Sequence, residues 1–395
     1  MAVGDVWDVA VVGAGPAGCA AAAQVLLDRP DARVLLLDRS DFPRDKACGD
    51  GIAAHGRDEL AKLGLPDLVA DYKPTTKLSV VSPGGATVSA TAARPNHVVP
   101  RKVFDARLVD AARTQGVEVR RHKVRALTQD SGTVDVDGIR ARAVVAADGA
   151  GSAVRRLIGV PMTAERHTAI AVRGYADLPP GSDRADGAQF IAMQKQGWPA
   201  YAWSFPIGDG TANIGFGLML PRLRAAGRPG KEVLHGRLAT LLPDLSGRDL
   251  LAHHLPLSTG RPATPGRGRV LLAGDAASLI NPLTGEGIYY ALLSGRLAGT
   301  AAVGAPSDPL RAYRYGLRQA LGNHLRTTDV LARASQSSRF MDAAIATAGR
   351  RTDVFDLLVD VGLGSGTVPL HLLWTVLSTW ARGNPAVTAR PRRRL

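Results

Sequence analysis

The sequence predicts an α/β protein: a Rossmann-type parallel sheet, an antiparallel-sheet second domain and a helical C-terminus. Three observations lead there. Residues 6–12 (VWDVAVV) form an apolar run that passes through glycines into the Ala-rich stretch 16–27, and residues 33–38 (RVLLLD) form a second apolar run, which is βαβ order. Residues 159–265 carry strand patterns separated by Gly- and Pro-rich turns. Beyond residue 308 the pattern turns mostly helical.

The elements follow in order. Pro16 suits a first helical position, where its missing N–H costs nothing and its fixed φ is helix-compatible. The uncharged stretch 9–27 is long enough to imitate a membrane span, but Gly13, Gly15, Pro16 and Gly18 interrupt it, so strand, turn and helix fit it better. Between residues 75 and 100, KLSVVS and ATVSA flank a Pro83-Gly84-Gly85 turn and predict two strands. Residues 103–116 read as an amphipathic helix, followed by strands near VEVRR, TVDVDG and ARAVVAAD. TAIAVRGYADL, AYAWSFPI and TANIGFGLML predict the antiparallel sheet. RVLLAGD (269–275) is a further buried strand, with a helix from Gly285 to about Ala302. The predicted division is a discontinuous first domain of 1–75, 101–158 and 266–305, a second domain of 76–100 and 159–265, and a helical region of 306–395.

Composition narrows the function classes. With 395 residues, 45% hydrophobic and 21% charged, the chain can bury a large core and is not of disordered type. The net charge of +14 comes almost wholly from Arg, Lys numbering 8, and no nucleic-acid module accompanies it, so no nucleic-acid partner is expected. Cys19 and Cys48 make no disulfide framework, and no Cys/His cluster, including the adjacent His253 and His254, has metal-ligand spacing. A reduced, cytoplasmic setting and no metal follow. The apolar segment 368–383, trailed by Arg382, Arg390, Arg392, Arg393 and Arg394, is either a core helix or a peripheral contact with anionic membrane.

Gly13-Ala14-Gly15-Pro16-Ala17-Gly18 matches GxGxxG between a strand and a helix, and Asp38 ends the next strand 25 residues past the first glycine. Glycines let the backbone approach a pyrophosphate at the helix N-terminus, and the acid suits ribose hydroxyls. Arg39 and Arg44 follow as further cofactor-binding candidates. The motif alone does not separate FAD from NAD.

Two later acids, Asp148 after ARAVVAA and Asp275 after RVLLAG (with Gly274), each end an apolar strand; alone, either reads equally as a turn or cap residue. In order, and with Asn281-Pro282-Leu283-Thr284-Gly285-Glu286-Gly287-Ile288 behind the second, they resemble the FAD-binding signatures of the flavoprotein hydroxylase and geranylgeranyl reductase superfamily. The resemblance implies that Asp275 binds the ribityl chain, that Pro282, Gly285, Gly287 and Ile288 lie beside the isoalloxazine, and that Arg101 of an R-x-x-F-D-x-x-L pattern contacts FAD. Residues 43–49 (PRDKACG) look like the P-R-x-K-x-C-G segment of geranylgeranyl reductases, which adds Cys48 and Gly49. Tyr201-Ala-Trp203-Ser-Phe205-Pro206, followed by Gly210, Asn213, Gly215 and Gly217, resembles the stretch lining the isoprenoid pocket of that family. Strand alternation puts Tyr201, Trp203 and Phe205 on one face, either an ordinary core face or a substrate wall.

For Cys48, Arg44 and Lys46 nearby are expected to lower the thiol's pKa, making it a candidate to position substrate or relay a proton, with Tyr201 and Trp203 as further catalytic candidates. Cys19, in the Ala-rich helix, reads as packing. The family implies an FAD-dependent reductase of carbon–carbon double bonds in a prenyl or other lipophilic small molecule, with hydride from reduced flavin N5. Gly362-Leu-Gly364-Ser-Gly366 has the wrong spacing for a second nucleotide unit, so NAD(P)H or a redox protein is expected as a transient electron donor. The same fold also serves flavin monooxygenases and non-redox flavin-dependent cyclases, whereas the W-x-W-x-I-P pattern of halogenases is absent.

Overall fold

The computed structural model describes residues 6–182, 184, 187–260 and 265–381. The chain enters as β1 (Trp7–Val12), α1 (Pro16–Asp28) and β2 (Val34–Asp38), with Val9 of β1 beside Val34 of β2 in parallel register. A short β3 (Gly51–Ile52) and α2 (Ala54–Lys62), unmarked by any strong sequence pattern, precede the hairpin β4 (Thr75–Val81) and β5 (Thr87–Val98). α3 (Arg101–Thr114) starts two residues before the predicted helix. β6 (Glu118–Arg121), β7 (Leu127–Gln129), β8 (Val134–Val136) and β9 (Ile139–Ala146) return the chain to the first sheet, ending in α4 (Ala153–Leu157).

The second sheet then takes β10 (Thr168–Asp177), β11 (Gln189–Met193), β12 (Ala200–Pro206) and β13 (Thr211–Met219). Two outer helices, α5 (Leu220–Arg224) and α6 (Gly230–Leu241), lead to β14 (Arg248–Pro256). β15 (Gly266–Arg267) and β16 (Val270–Leu272) rejoin the first sheet, and five helices close the described chain: α7 (Ile288–Gly304), α8 (Pro309–Ala334), α9 (Ser338–Ala348), α10 (Thr352–Leu363) and α11 (Leu370–Ala381).

The first sheet runs β15-β16-β9-β1-β2-β6, with β7 and β8 hung on β9. β16, β9, β1, β2 and β6 are parallel neighbours, and β16, β1, β2 and the second half of β9 read as apolar runs because both faces are covered there, whereas the edge strand β6 is polar and largely exposed. α1 and α7 lie against one face in near backbone contact, because a Cβ at Gly295 or Gly299 would overlap the Ala17 or Ala21 carbonyl oxygen. Ala and Gly at this contact are therefore required by distance, and a larger residue costs about 1–3 kcal/mol in overpacking.

The second sheet, β14-β10-β13-β12-β11-β4-β5-β3, departs from the antiparallel expectation at one seam, where β11 and β4 run parallel. These strands come from separate passes of the chain through the first domain, so no hairpin constrains their direction. One face of this sheet packs Ile214, Phe216 and Leu218 against Leu234 and Leu238 of α6. α9, α10 and α11 pack with Ala92 of β5 around Phe340, Val354 and Phe355. Between the two sheets and these helices a cavity opens.

Candidate active site

The turn between β1 and α1 is shaped by close approach. Gly13 has φ +100°, and a side chain there would overlap the Ala147 carbonyl after β9. Gly15 instead faces space bounded by two guanidiniums: a Cβ at Gly15 would lie 3.7 Å from Arg44 Nη2 and 3.9 Å from Arg101 Nη2. Gly15 caps α1 without a side-chain hydrogen bond, and Pro16 and Ala17 begin the helix, so the first-turn N–H groups and the helix dipole add positive potential here. Arg101, 4% exposed, is held by fully buried Asp105 through Nε–Oδ1 (2.6 Å) and Nη2–Oδ2 (2.7 Å), while Arg44 Nη1 reaches the same carboxylate at 3.2 Å. Burial alone would weaken the hold on Arg101's proton, but Asp105 outweighs it and raises the pKa. Two cations share one anion beside a bare helix N-terminus, and this cradle fits a pyrophosphate.

Asp38 ends β2 and braces the turn, Oδ2 accepting the Ala14 N–H at 2.8 Å and Oδ1 the Ser40 N–H at 2.9 Å. Arg39 is exposed at the cavity mouth. Asp148 also borders the cavity, but its carboxylate caps α4, accepting Ala153 N–H (2.7 Å), Val154 N–H (3.1 Å) and the Ser152 hydroxyl (2.5 Å).

Asp275 stands where β16 meets α7. A Cβ at Gly287 would be 3.7 Å from Asp275 Oδ1, so the acid sits against the loop formed by Pro282, Gly285 and Gly287, with Ile288 buried behind it. Gly274 packs against α1, a Cβ there lying 3.2 Å from that of Ala17. Burial would raise the Asp275 pKa, but Lys46 Nζ at 3.0 Å from Oδ2, together with His253, holds it below the usual carboxylate range. His253 on β14 is pushed down to about 4 by burial and by Lys46, and its Nε2 is buried with no partner among the described residues. Glu286 accepts the Tyr289 N–H on Oε1 at 2.8 Å, and burial pushes its carboxyl up to about 7.

On the opposite wall the aromatics line up as alternation requires. Tyr201 and Trp203 have ring centroids 6.0 Å apart, Trp203 and Phe205 6.4 Å. Trp203 lies over its cross-strand partner Gly215, where any Cβ would enter the indole ring, so glycine makes the room for it. The Cys48-Gly49 loop runs along this wall, a Cβ at Gly49 falling 3.4 Å from Phe205 and 3.6 Å from Trp203 Nε1. Tyr201 donates its hydroxyl to the Thr284 carbonyl, tying the wall to the loop before α7. The expectation of a depressed Cys48 pKa is corrected: burial pushes the thiol up, and Arg101 beside it only partly offsets this. Arg44 and Lys46 are turned to Asp105 and Asp275 instead.

A buried polar net lies under this loop, and beyond Asn213 and Trp203 its members carry no motif in the sequence. Arg173 on β10, 1% exposed, grips Asp45 with two hydrogen bonds (2.7 and 3.0 Å) and donates to the Lys46 and Cys48 carbonyls. Asp50, fully buried at φ +58°, accepts from Tyr175 Oη (2.7 Å) and Asn213 Nδ2 (2.8 Å), and burial lifts its pKa to about 6. The Asn213 Oδ1 accepts Trp203 Nε1 at 2.8 Å. For Arg173 the sequence signal is its place inside the apolar strand TAIAVRGYADL, a buried charge that demands a partner. Cys19 is 2% exposed in the α1 core.

Residues 6–215 match the FAD binding domain family. The chain is 35% identical to the menaquinone reductase of Mycolicibacterium smegmatis over 315 residues, 74% of this chain and 75% of that protein. It is 34% identical to digeranylgeranylglycerophospholipid reductase 1 of Methanopyrus kandleri over 319 residues, 76% of this chain and 81% of that one. A geranylgeranyl bacteriochlorophyll reductase-like protein from Thermoplasma acidophilum superposes with a TM-score of 0.74 over 96% of this chain and 97% of that chain; at 20% identity this is a likeness of fold.

Proposed function

This chain belongs to the FAD binding domain family and, within it, to the geranylgeranyl reductase family of FAD-dependent oxidoreductases; from that premise we propose that it reduces carbon–carbon double bonds in a prenyl or other lipophilic substrate. The observation that carries the reading is one continuous cavity of about 1300 Å³ with two chemical ends. One end holds the glycine turn, Arg44, Arg101, Asp38 and Asp275; the other runs past Tyr201, Trp203 and Phe205 to Leu78, Val80 and Ile191 of the second sheet and Ile345, Phe355 and Leu358 of α9 and α10. A polar dinucleotide end continuous with an apolar arm suits a long hydrocarbon brought up to a flavin.

Bound FAD supplies the hydride chemistry. The chain's residues do the rest in this reading. Arg44, Arg101 and the α1 N-terminus hold the pyrophosphate, Asp38 the ribose and Asp275 the ribityl chain. The aromatic wall orients the substrate and keeps water from it, and Cys48 positions the double bond against that wall. Residues 1–75, 101–158 and 266–305 form the cofactor part, and 76–100 with 159–265 the substrate part. A nicotinamide or a redox protein docks transiently to deliver electrons.

The test is an anaerobic single turnover. Dithionite-reduced protein mixed with a geranylgeranyl lipid, which carries no quinone ring to take the electrons, should recover oxidised-flavin absorbance without O2. An oxygenated product formed only after O2 is admitted makes the protein a monooxygenase, and product from oxidised protein without any reductant makes it a cyclase; either overturns the proposal.

A further inference from the structure

Reducing a carbon–carbon double bond takes a proton as well as a hydride, and the proton needs a donor on the cavity wall. Among the described residues six acids line that cavity: Asp38, Asp45, Asp148, Asp275, Glu286 and Asp329. Five are engaged. Asp38 braces the glycine turn and lies 3.8 Å from Arg44, Asp45 pairs with Arg173, Asp148 spends both oxygens on the α4 cap, Asp275 pairs with Lys46, and Asp329 holds Arg333 and the Gly260 N–H. Glu286 has no ion-pair partner among the described residues.

Its surroundings hold a large share of it protonated at neutral pH. The groups that its charge acts on include the Cys48 thiol from the loop before β3, the Tyr201 phenol from β12 and the Tyr290 phenol from α7, all uncharged at neutral pH because burial pushes each of them up, while Asp275, against the next residue Gly287, is paired with Lys46. The backbone N–H groups of Tyr289 and Ile288 favour the carboxylate, but burial outweighs them and sets the carboxyl at about 7, so both forms are populated near neutrality. The other raised acid, Asp50, is fully buried under the loop and off the cavity wall. Tyr201 is a far weaker acid and spends its proton on the Thr284 carbonyl.

We propose that Glu286 is the general acid of this site, delivering its carboxyl proton to the alkene carbon next to the one that receives hydride. The inference rests on the reductase reading. As the π bond breaks, one C–H bond forms with the hydride and the other with the Glu286 proton. The two electrons come from reduced flavin, recharged by the transient donor. The Glu286 carboxylate takes a new proton from solvent at the cavity mouth. Because the protonated form is the active one, substrate-driven flavin oxidation slows as pH rises through about 7.

The test uses the FAD-loaded protein and Glu286→Gln, whose amide oxygen still accepts the Tyr289 and Ile288 N–H groups. The variant should keep FAD and its reduction by dithionite, yet lose at least about a hundredfold in single-turnover oxidation by a prenyl lipid, together with the pH break. A readout independent of turnover comes from glutamate labelled with 13C at the carboxyl carbon. The chain has five glutamates, and one resonance should titrate near pH 7 and vanish in Glu286→Gln. Wild-type rate and pH profile in the variant, or no glutamate titrating above about pH 6, overturns the proposal. If wild-type protein leaves the alkene untouched, the reductase reading fails instead; turnover with an unaffected variant sinks this inference alone.

Discussion

The Asn213 side-chain amide lies 2.9 Å from the carbonyl oxygen of Cys48, so a strand of the second sheet holds the loop that carries the thiol. The same amide donates to Asp50 and accepts from Trp203, which makes one residue the joint between loop and aromatic wall. Asn213→Ala leaves the buried Trp203 Nε1 unpaired and strips one of two donors from each of the Cys48 carbonyl and Asp50, which should cost on the order of 1–3 kcal/mol in urea unfolding. Cys48 should also react faster with iodoacetamide. Unchanged stability and alkylation would remove Asn213 from the account.

The cofactor cradle predicts a contrast. Gly15→Val puts a branched side chain between Arg44 and Arg101 and should abolish FAD binding. Asp275→Ala loses a charged contact worth about 1.5–3 kcal/mol, roughly ten- to more than a hundredfold in Kd, whereas Asp50→Ala should leave FAD affinity near that of wild type. Equilibrium dialysis of FAD against the three variants checks this, and equal Kd values for Asp275→Ala and Asp50→Ala would contradict the placement.

Asp50 gives a pH signature. Burial raises its folded-state pKa to about 6, above the unfolded value near 3.9, so the folded chain holds a proton that the unfolded chain has released in between. Its contribution to stability is full below about pH 4, falls as pH rises to about 6, and is constant above that. Asn tolerates the left-handed backbone at this position, so Asp50→Asn should fold. The variant's Tm should gain on wild type between pH 4 and 6 and then run parallel to it. Parallel melting curves across the whole range would mean that Asp50 ionises normally.

Helix α11 bears on where the substrate is collected. Leu372 and Val376 pack inward, while Trp374 and Trp380 are 70% and 47% exposed. No helix among the described residues is long and apolar enough to cross a membrane. The arginines predicted to meet anionic lipid, from Arg382 onward, lie outside the described residues. Each cation near such a surface contributes about 1 kcal/mol. The full chain should co-sediment with phosphatidylserine vesicles in low salt, release in high salt, and lose the binding when 384–395 are deleted, with FAD content unchanged. Protein that stays in the supernatant at low salt contradicts the membrane contact.

How much of this was legible in the sequence depends on the range of the interaction involved. β1, α1 and β2 were readable because apolar runs, Pro16 and the glycines act within a few residues, and the Tyr201–Phe205 wall because alternation is a local rule. The parallel β4–β11 seam joins segments more than a hundred residues apart and leaves no local mark. Arg44 and Lys46 beside Cys48 suggested an acidic thiol, but the ion pairs with Asp105 and Asp275 and the burial of the sulfur are tertiary facts that reverse the sign. Glu286 stood inside a quoted motif, yet what sets it apart from the other cavity acids is burial without an ion pair, which raises its carboxyl and which only the fold reveals.

The central claim is best tested by the mass of the product. Reduced protein incubated without O2 with a geranylgeranyl lipid should return material heavier by about two mass units for each bond reduced. Unchanged mass without O2, or a gain of about sixteen mass units once O2 is supplied, would contradict the assignment as a double-bond reductase.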